Sequence, residues 1–229
     1  MSDLGQHGMF GETIAAYAER RREERFPIIR TAKLMYDDTE MPCVLRDISN
    51  SALRVRIYDA IPMGSREMML EFGDGDRHPV ELVWQRDGHA GLRFPQFADL
   101  RALVGEKGPF RKRAIRIGVD LPSSVTVLGT RHEIRIEDIS HQGARISCDH
   151  PLAIDQQLRI AVPSLGEVYA VVRWREQPHY GLAFLETFRF EEIAHMAGSL
   201  QAISRVWRRQ HPRQEVVRPV TMQKRVVNG

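Results

Sequence analysis

The sequence predicts a mainly β protein made of two tandem copies of one small domain, each a small antiparallel barrel or sandwich followed by a helix. Three observations lead to this prediction. Similar segments recur at a nearly constant offset, short alternating stretches follow one another between turn residues, and an amphipathic pattern ends each copy. A further helical stretch precedes the first copy, and a basic tail follows the second.

The internal repeat is visible in three pairs of segments that keep their order. The pairs are RRREERFPIIRTAKL at 20–34 with RKRAIRIGVDLPSSV at 111–125, RDISNSALRV at 46–55 with EDISHQGARI at 137–146, and ELVWQRDGHAGLRF at 81–94 with AVVRWREQPHYGLAF at 170–184. An offset of 91 residues separates Asp47 from Asp138, and one of 90 separates Trp84 from Trp174. A repeat of this length is a small domain rather than a solenoid unit.

Short strands are predicted throughout both copies. The first copy contains TAKLMY, PCVLRDI, LRVRIY, EMMLEF and PVELVW, and the second contains SVTVLG, HEIRIEDI, ARISC, QLRIAVP and VYAVVRW. These stretches alternate or are rich in β-branched residues, and turn residues separate them. Five or more strands at a spacing of about 8–12 residues are typical of a small barrel or sandwich.

Helical patterns mark the ends of the copies. FADLRALV at 97–104 predicts a short helix, and FEEIAHMAGSLQAISRVWRR at 190–209 predicts a longer one. The longer pattern places five apolar residues on one stripe: Ile193, Met196, Leu200, Ile203 and Trp207. We expect this stripe to cap a barrel, the alternative being that it pairs with a partner.

The predicted organisation follows from these segments. It comprises a helical lead-in at 1–17, a first domain at 18–104, a linker at 105–110, a second domain at 111–204 whose helix extends to about 210, and a basic flexible tail at 211–229.

The charge is concentrated at the C-terminal end. The net charge of the chain is +3, yet residues 205–229 hold seven Lys and Arg side chains against Glu215, so the remainder is net negative. A negative body argues against a broad nucleic-acid-binding face. The tail itself is suited to acidic partners, or it is simply a solvated end.

Composition and short motifs argue against several other classes of protein. Cys43 and Cys148 are too few for a disulfide framework, so we expect buried thiols in a reducing cytoplasm. The sequence contains neither a signal-peptide pattern nor an apolar run of about 20 residues. No H-E-x-x-H pattern and no glycine-rich phosphate loop occur, so we expect no enzyme, no metal site and no cofactor.

The repeated turn D-x-S-x-x-G is the first feature that suggests a site. In the second copy it comprises Asp138, Ser140 and Gly143. A carboxylate accepts hydrogen bonds from N–H donors and a serine hydroxyl donates to phosphate, whereas glycine permits a positive φ or a close backbone approach. The alternative is a turn that satisfies its own backbone groups.

Arginine clusters and tryptophans accompany this turn in both copies. The clusters are Arg20, Arg21, Arg22 and Arg25 in the first copy and Arg111, Lys112, Arg113 and Arg116 in the second. A guanidinium binds phosphate and guanine edges with two parallel hydrogen bonds, although such a cluster is also typical of a solvated helix face. Trp84 and Trp174 suit base stacking or burial in a strand.

Together these features resemble the PilZ family. Its members are six-stranded barrel modules that bind the bacterial second messenger cyclic di-GMP through R-x-x-x-R before the first strand and [D/N]-x-S-x-x-G on the barrel. The resemblance covers roughly residues 18–104 and 109–204. It implies a cytoplasmic signal-transduction protein with cyclic di-GMP as its ligand, and a protein partner downstream.

The resemblance implies one site in each copy. The implied residues are Arg20, Arg21, Arg25, Asp47, Ser49 and Trp84 in the first copy and Arg111, Lys112, Arg116, Asp138, Ser140, Gly143 and Trp174 in the second. Each copy departs from the pattern once. Ala52 replaces the glycine in the first copy, which is costly if that position needs a positive φ. Lys112 replaces an arginine in the second, which loses the fork of donors unless Arg111 supplies it.

Two alternatives to a cyclic di-GMP receptor follow from these departures and from the small barrels. A degenerate PilZ tandem would serve as a protein-interaction adaptor without binding nucleotide. A small-barrel nucleic-acid binder is disfavoured by the negative body and by the lack of interleaved aromatic and basic residues.

Overall fold

The computed structural model describes residues 24–62, 64–65, 68–73, 75–100, 103 and 113–211. The predicted N-terminal helix, the linker and nearly all of the tail lie outside these ranges. The first barrel contains β1 (Phe26–Tyr36), β2 (Thr39–Ile48), β3 (Ala52–Arg56), β4 (Met68–Phe72), β5 (Arg77–Arg86) and β6 (His89–Arg93). The second contains β7 (Ile117–Val127), β8 (Thr130–Ser140), β9 (Gly143–Cys148), β10 (Gln157–Val162), β11 (Gly166–Glu176) and β12 (His179–Phe184). One long helix, α1 (Phe190–Gln210), follows the second barrel.

Both sets of six strands close into antiparallel barrels with the same order. Around barrel 1 the order is β1-β2-β3-β6-β5-β4, and around barrel 2 it is β7-β8-β9-β12-β11-β10. The pairing of β4 with β1 and of β10 with β7 closes each barrel. This confirms the predicted pair of small barrels. It also adds a sixth strand, β6 or β12, that the strand patterns alone did not separate from the tryptophan strand before it.

Alternating apolar side chains fill each barrel. On β8 the side chains of Ile134, Ile136 and Ile139 are buried, whereas Arg135 and Glu137 lie between them and are partly exposed. The apolar side chains form one continuous core in each barrel. Inward and outward alternation fixes the strand register, because a slip of one residue would expose the whole inner face.

Tight turns with residues of positive φ connect several neighbouring strands. The β1–β2 turn uses Asp37 at φ 43° and Asp38 at φ 59°, and the β5–β6 turn uses Asp87 and Gly88. Two consecutive residues of positive φ match the twist of a hairpin, and Asp, Asn and Gly are the residues that tolerate it. The β1–β2 turn places the start of β2 at one end of barrel 1, where it meets barrel 2.

Helix α1 confirms the predicted long helix, but its buried face differs from the predicted stripe. Ile193, Ala197 and Leu200 join the core of barrel 2, as expected for a helix that caps a barrel. Ile203, however, is exposed. The buried residues further along the helix are Gln201 and Ser204, because polar contacts to barrel 1 and to Asp120 turn that side inward.

The predicted short helix after barrel 1 is described in part. Leu100 and Leu103 have helical geometry, and the Leu103 N–H donates to the Asp99 carbonyl at 3.0 Å. Leu103 is buried in the core of barrel 1. Within the described ranges, no helix is both long and apolar enough to cross a membrane.

Helix α1 also contacts barrel 1, so the two barrels share an interface. The side-chain amide of Gln201 pairs with the backbone of Glu40: its oxygen accepts the Glu40 N–H at 2.7 Å, and its nitrogen donates to the Glu40 carbonyl at 2.7 Å. Tyr58 of barrel 1 packs edge-on against Phe190 and His195 of the helix. The helix therefore joins the two barrels as well as capping one.

Candidate functional site

The same arginine–aspartate contact occurs on both barrels. In barrel 1, Nη1 of Arg25 donates to Oδ1 of Asp47 at 2.6 Å, and in barrel 2, Nη1 of Arg116 donates to Oδ1 of Asp138 at 2.7 Å. Both arginines are about half exposed, with side-chain accessibilities of 51% and 43%. Such exposed pairs contribute only about 0.2–1 kcal/mol, so an incoming anion can replace the aspartate at little cost.

The strand pairing explains why the contact recurs. Each arginine comes directly before the first strand of its barrel, and each aspartate lies near the end of the second strand. Asp47 is opposite Pro27 on β1, and Asp138 is opposite Gly118 on β7. The arginine side chain therefore extends from the beginning of one strand to the carboxylate on its neighbour. The predicted convergence of these two motifs is found in both copies.

A row of four residues crosses the outer surface of each barrel. In barrel 1, Asp47 is opposite Arg54, Arg54 is opposite Gly91, and Gly91 is opposite Trp84. The row runs across β2, β3, β6 and β5, so it spans three strand spacings, about 14 Å. Barrel 2 repeats it with Asp138, Arg145, Gly181 and Trp174. Aspartate and tryptophan, distant in sequence, are thus on one surface.

The tryptophan and the glycine of the row form a close contact. A Cβ atom added at Gly91 would overlap the Trp84 indole, and one added at Gly181 would overlap that of Trp174. Each indole therefore lies against the backbone of the neighbouring strand. The tryptophans stay 37% and 38% exposed, so each presents a ring surface to solvent; the guanidinium of Arg86 lies 5.3 Å from the centre of the Trp84 ring.

Arg54 and Arg145 are members of this surface that the sequence analysis missed. Oδ2 of Asp47 pairs with Nε of Arg54 at 2.6 Å, so both carboxylate oxygens of Asp47 contact an arginine. In barrel 2 the guanidinium of Arg145 lies 5.9 Å from the centre of the Trp174 ring, within cation–π range. The signal was present in the repeat, since an arginine follows each D-x-S aspartate by seven positions.

The arginine of the row pairs with a different carboxylate in each barrel, because the residue that precedes the motif aspartate differs between the two copies. Nε of Arg145 pairs with Glu137 at 2.8 Å, and the same carboxylate contacts Nδ1 of His179 at 3.1 Å. Arg46 occupies the position of Glu137 in the first copy. Because Arg46 carries no carboxylate, it cannot pair with Arg54, and Arg54 pairs with Asp47.

The two serines of the motif lie inside the turn. Ser140 is 2% exposed; its hydroxyl donates to the Gly143 carbonyl at 3.2 Å and accepts the Gln142 N–H at 3.3 Å. Ser49 is also 2% exposed; its hydroxyl donates to the Ala52 carbonyl at 3.2 Å and accepts the Ala52 N–H at 3.1 Å. This geometry favours the interpretation of a turn that satisfies its own backbone. A direct contact between these serines and a ligand stays a prediction.

The glycine of the motif is required by close packing rather than by a positive φ. Neither Gly143 nor Ala52 is among the described residues of positive φ. A Cβ atom at Gly143 would instead overlap the carbonyl oxygen of Leu182 on β12. Ala52 already carries a Cβ at the equivalent position, so β3 and β6 leave room that β9 and β12 do not. The expected backbone penalty for Ala52 is therefore absent.

Four predicted site residues lie outside the described residues: Arg20, Arg21, Arg111 and Lys112. Among the described residues, the structure brings the other arginine, the aspartate and the tryptophan of each copy to one outer surface, with the serine in the adjoining turn.

The surface combines groups that suit an anionic ligand with a planar ring. The guanidinium of Arg25 or Arg116 can bind a phosphate, the aspartate can accept N–H donors, and the indole and the second arginine can stack on a ring. Within the described ranges, no group of three or more His, Cys, Asp or Glu side chains is arranged to hold a metal ion.

Comparison with protein families identifies the repeated unit. The family model described as PilZ domain matches residues 19–105 and again residues 110–199. No curated protein sequence matches the chain significantly.

Several solved structures share parts of the architecture at low identity. Borreliella burgdorferi PlzA in complex with c-di-GMP is 13% identical with a TM-score of 0.31, and the match covers 83% of this chain and 99% of that one. Escherichia coli YcgR in complex with c-di-GMP is 14% identical with a TM-score of 0.29, covering 79% and 84%. The Bacillus subtilis inhibitor of motility MotI/DgrA is 17% identical with a TM-score of 0.30, covering 82% and 100%. At these values the likeness supports no inference about a ligand.

Proposed function

This chain belongs to the PilZ domain family, and from that premise we propose that it is a bacterial receptor and effector for cyclic di-GMP that acts in the cytoplasm without catalysing a reaction. The observation that supports the proposal most is the duplicated surface. In both barrels an exposed arginine contacts the aspartate of the D-x-S turn, and an exposed tryptophan lies in the same cross-strand row.

Each group of this surface matches a part of the ligand. Cyclic di-GMP has two phosphates and two guanines. Arg25 and Arg116 would bind a phosphate or the O6/N7 edge of guanine, and Asp47 and Asp138 would accept from guanine N1–H and N2–H₂. Trp84 and Trp174 would stack on a guanine, a contact of about 1–3 kcal/mol per base.

The remaining residues of the arginine clusters would also contact the ligand. Arg20 and Arg21 in the first copy, and Arg111 and Lys112 in the second, would add further donors or stacking surfaces. The ligand would thereby fix each arginine-rich segment against its barrel. The buried Ser49 and Ser140, with Gly143, would shape the turn that presents the aspartate.

The second site adjoins the interface between the barrels, so we infer that ligand binding changes the inter-domain geometry. The Arg116 carbonyl accepts a hydrogen bond from Lys33 of barrel 1 at 3.1 Å, and Gly118 contacts Glu40 of barrel 1. A ligand that moves the Arg116 segment would therefore also move groups that contact barrel 1. Such a change would pass the signal to a downstream protein partner.

Isothermal titration calorimetry with cyclic di-GMP tests the receptor proposal. We expect saturable binding that is lost when Arg25 and Arg116 are both replaced by alanine. GMP at the same concentration is the control for nonspecific anion binding. No heat and no thermal shift with cyclic di-GMP would overturn the proposal and favour the adaptor interpretation, in which the tandem binds only protein.

Small-angle X-ray scattering tests the inferred change in geometry separately. We expect a shift in the scattering profile of the full chain at saturating cyclic di-GMP. The same ligand concentration added to the Arg25→Ala/Arg116→Ala chain should leave its profile unchanged. If the wild-type profile stays constant while calorimetry shows binding, the receptor proposal stands and the inter-domain inference fails.

A further inference from the structure

A buried lysine of barrel 1 reaches the backbone of barrel 2. Lys33 lies on β1, and its side chain is 9% exposed. Its Nζ contacts three oxygen acceptors: Glu40 Oε2 at 3.0 Å, Glu71 Oε1 at 3.1 Å and the Arg116 carbonyl at 3.1 Å. An ammonium group has three N–H donors, so these three acceptors match its capacity. The contact to the Arg116 carbonyl therefore helps to stabilise the buried charge of Lys33.

Glu40 makes a second contact from barrel 1 to the same segment. Its Oε2 atom accepts the backbone N–H of Gly118 at 2.8 Å as well as the Lys33 ammonium. Glu40 is itself fixed, because the side-chain amide of Gln201 pairs with both its N–H and its carbonyl. The carboxylate thus lies between a lysine of its own barrel and a backbone amide of the other.

These two contacts lie on either side of Ile117 and fix the position of the Arg116 backbone. The carbonyl on one side of Ile117 is held by Lys33, and the amide on the other side is held by Glu40. Ile117 itself is fully buried in barrel 2. The backbone from which the Arg116 side chain extends toward Asp138 is therefore positioned by side chains of barrel 1.

The site of barrel 1 lacks an equivalent amide. Pro27 occupies the position of Gly118, since each lies opposite the motif aspartate of its copy. Proline has no backbone N–H, so a contact of the Gly118–Glu40 kind cannot form there. Ser124 occupies the position of Lys33 in the second copy. The support is therefore specific to the Arg116 site.

We propose that Lys33 and Glu40 of barrel 1 are positioning residues for the ligand site on barrel 2, so that this site is completed only by the tandem arrangement. The inference rests on the proposed function, because it assigns a role toward cyclic di-GMP. It goes beyond that function by making the affinity of one site depend on residues that belong to the other domain and lie outside the family's binding motifs.

The test measures cyclic di-GMP affinity by calorimetry in two full-length backgrounds. The Arg25→Ala chain retains the barrel 2 site, and the Arg116→Ala chain retains the barrel 1 site. Adding Lys33→Met to the first is expected to weaken binding about tenfold, whereas adding it to the second should change affinity by less than about twofold. Equal losses in both backgrounds, or no loss in the first, would overturn the proposal.

A double variant separates positioning from unfolding. Lys33→Met alone leaves Glu40 without its cationic partner, which can destabilise the barrel, whereas Glu71 keeps its pair with Arg77. The Lys33→Met/Glu40→Met chain removes both charges of the pair, and a thermal melt verifies that it folds. It should show the same selective loss at the barrel 2 site. Arg159→Ala, which breaks the surface pair with Glu167, is the matched control and should not alter affinity.

Amide hydrogen exchange without ligand provides a readout that does not need binding. In the double variant we expect the Gly118 amide to exchange at least about tenfold faster, with the amides of the barrel 1 strands unchanged. Unchanged protection at Gly118 would overturn the proposed positioning. If the wild-type chain binds no cyclic di-GMP but Gly118 loses protection in the variant, the proposed function fails and the structural support of the Arg116 segment stands.

Discussion

Arg116 and Asp138 form a 2.7 Å contact that Arg25 and Asp47 reproduce at 2.6 Å, each pair separated by 22 residues. The arginine comes from the segment before the barrel and the aspartate from the barrel itself. Each pair therefore joins two parts of the candidate site that are too far apart in sequence to fall in one short motif.

In the Arg25→Ala background, which retains only the barrel 2 site, Asp138→Ala is expected to reduce cyclic di-GMP affinity without unfolding the protein. Loss of an acceptor for guanine N–H groups should weaken binding about tenfold or more. The free energy of unfolding should change by less than about 1 kcal/mol, because an exposed ion pair contributes little. Calorimetry and urea denaturation measure the two quantities.

Asp155→Asn is the control for the Asp138 variant, since Asp155 pairs with Arg173 at 3.0 Å on an exposed part of the same barrel and asparagine tolerates the φ of 60° at this position. It should leave both affinity and stability unchanged. If the Arg25→Ala chain bound the ligand equally tightly with and without Asp138→Ala, the aspartate would have no role in recognition.

Gly143→Ala and Ala52→Gly should have unequal effects on stability. A methyl group at Gly143 overlaps the Leu182 carbonyl, and forced close contacts of this kind cost about 1–3 kcal/mol. Ala52→Gly should cost no more than about 1 kcal/mol, the usual penalty for glycine in a strand. Urea denaturation of both variants gives the comparison, and an equally small loss for both would show that β9 moves to accept the methyl group.

The role of the motif glycine could not be predicted from the sequence. The D-x-S-x-x-G pattern identified the correct turn, but whether its glycine serves φ or packing depends on the distance between β9 and β12. The pattern of strands likewise predicted two small barrels, because alternation and turn residues are local signals. The order β2, β3, β6, β5 is not local, and it alone places Trp84 in one cross-strand row with Arg54 and Asp47.

The long helix shows a second limit. Its apolar period predicted a single stripe that included Ile203, which is exposed. Gln201 and Ser204 are buried instead, because each finds a polar partner: the backbone of Glu40 for Gln201 and the Asp120 amide for Ser204. The hydrophobicity of a side chain contains no information about the polar partners that neighbouring strands supply, whether from barrel 1 or from barrel 2.

Both cysteines should react slowly with thiol reagents in the folded protein. Cys43 and Cys148 are free and buried, and burial raises the pKa of each thiol above its usual value. A raised pKa means less thiolate, the reactive form, at any pH below that pKa. Labelling with a chromogenic disulfide near pH 8 should be at least about tenfold slower in buffer than in urea. Rapid labelling of the folded chain would contradict the closed cores.

Gln201→Leu tests how strongly helix α1 joins the two barrels. The substitution keeps a similar volume but removes the amide that pairs with the N–H and the carbonyl of Glu40. Two partly buried backbone groups would lose their partners, at up to about 1–3 kcal/mol each, unless the interface opens and water replaces the amide. We therefore expect either a lower melting temperature or a larger radius of gyration, measured by calorimetry and small-angle scattering.

Gln156→Leu is the matched control, because the Gln156 amide oxygen accepts the Ala153 N–H within barrel 2. Identical stability and dimensions for Gln201→Leu and the wild type would mean that this hydrogen-bond pair does not hold the interface.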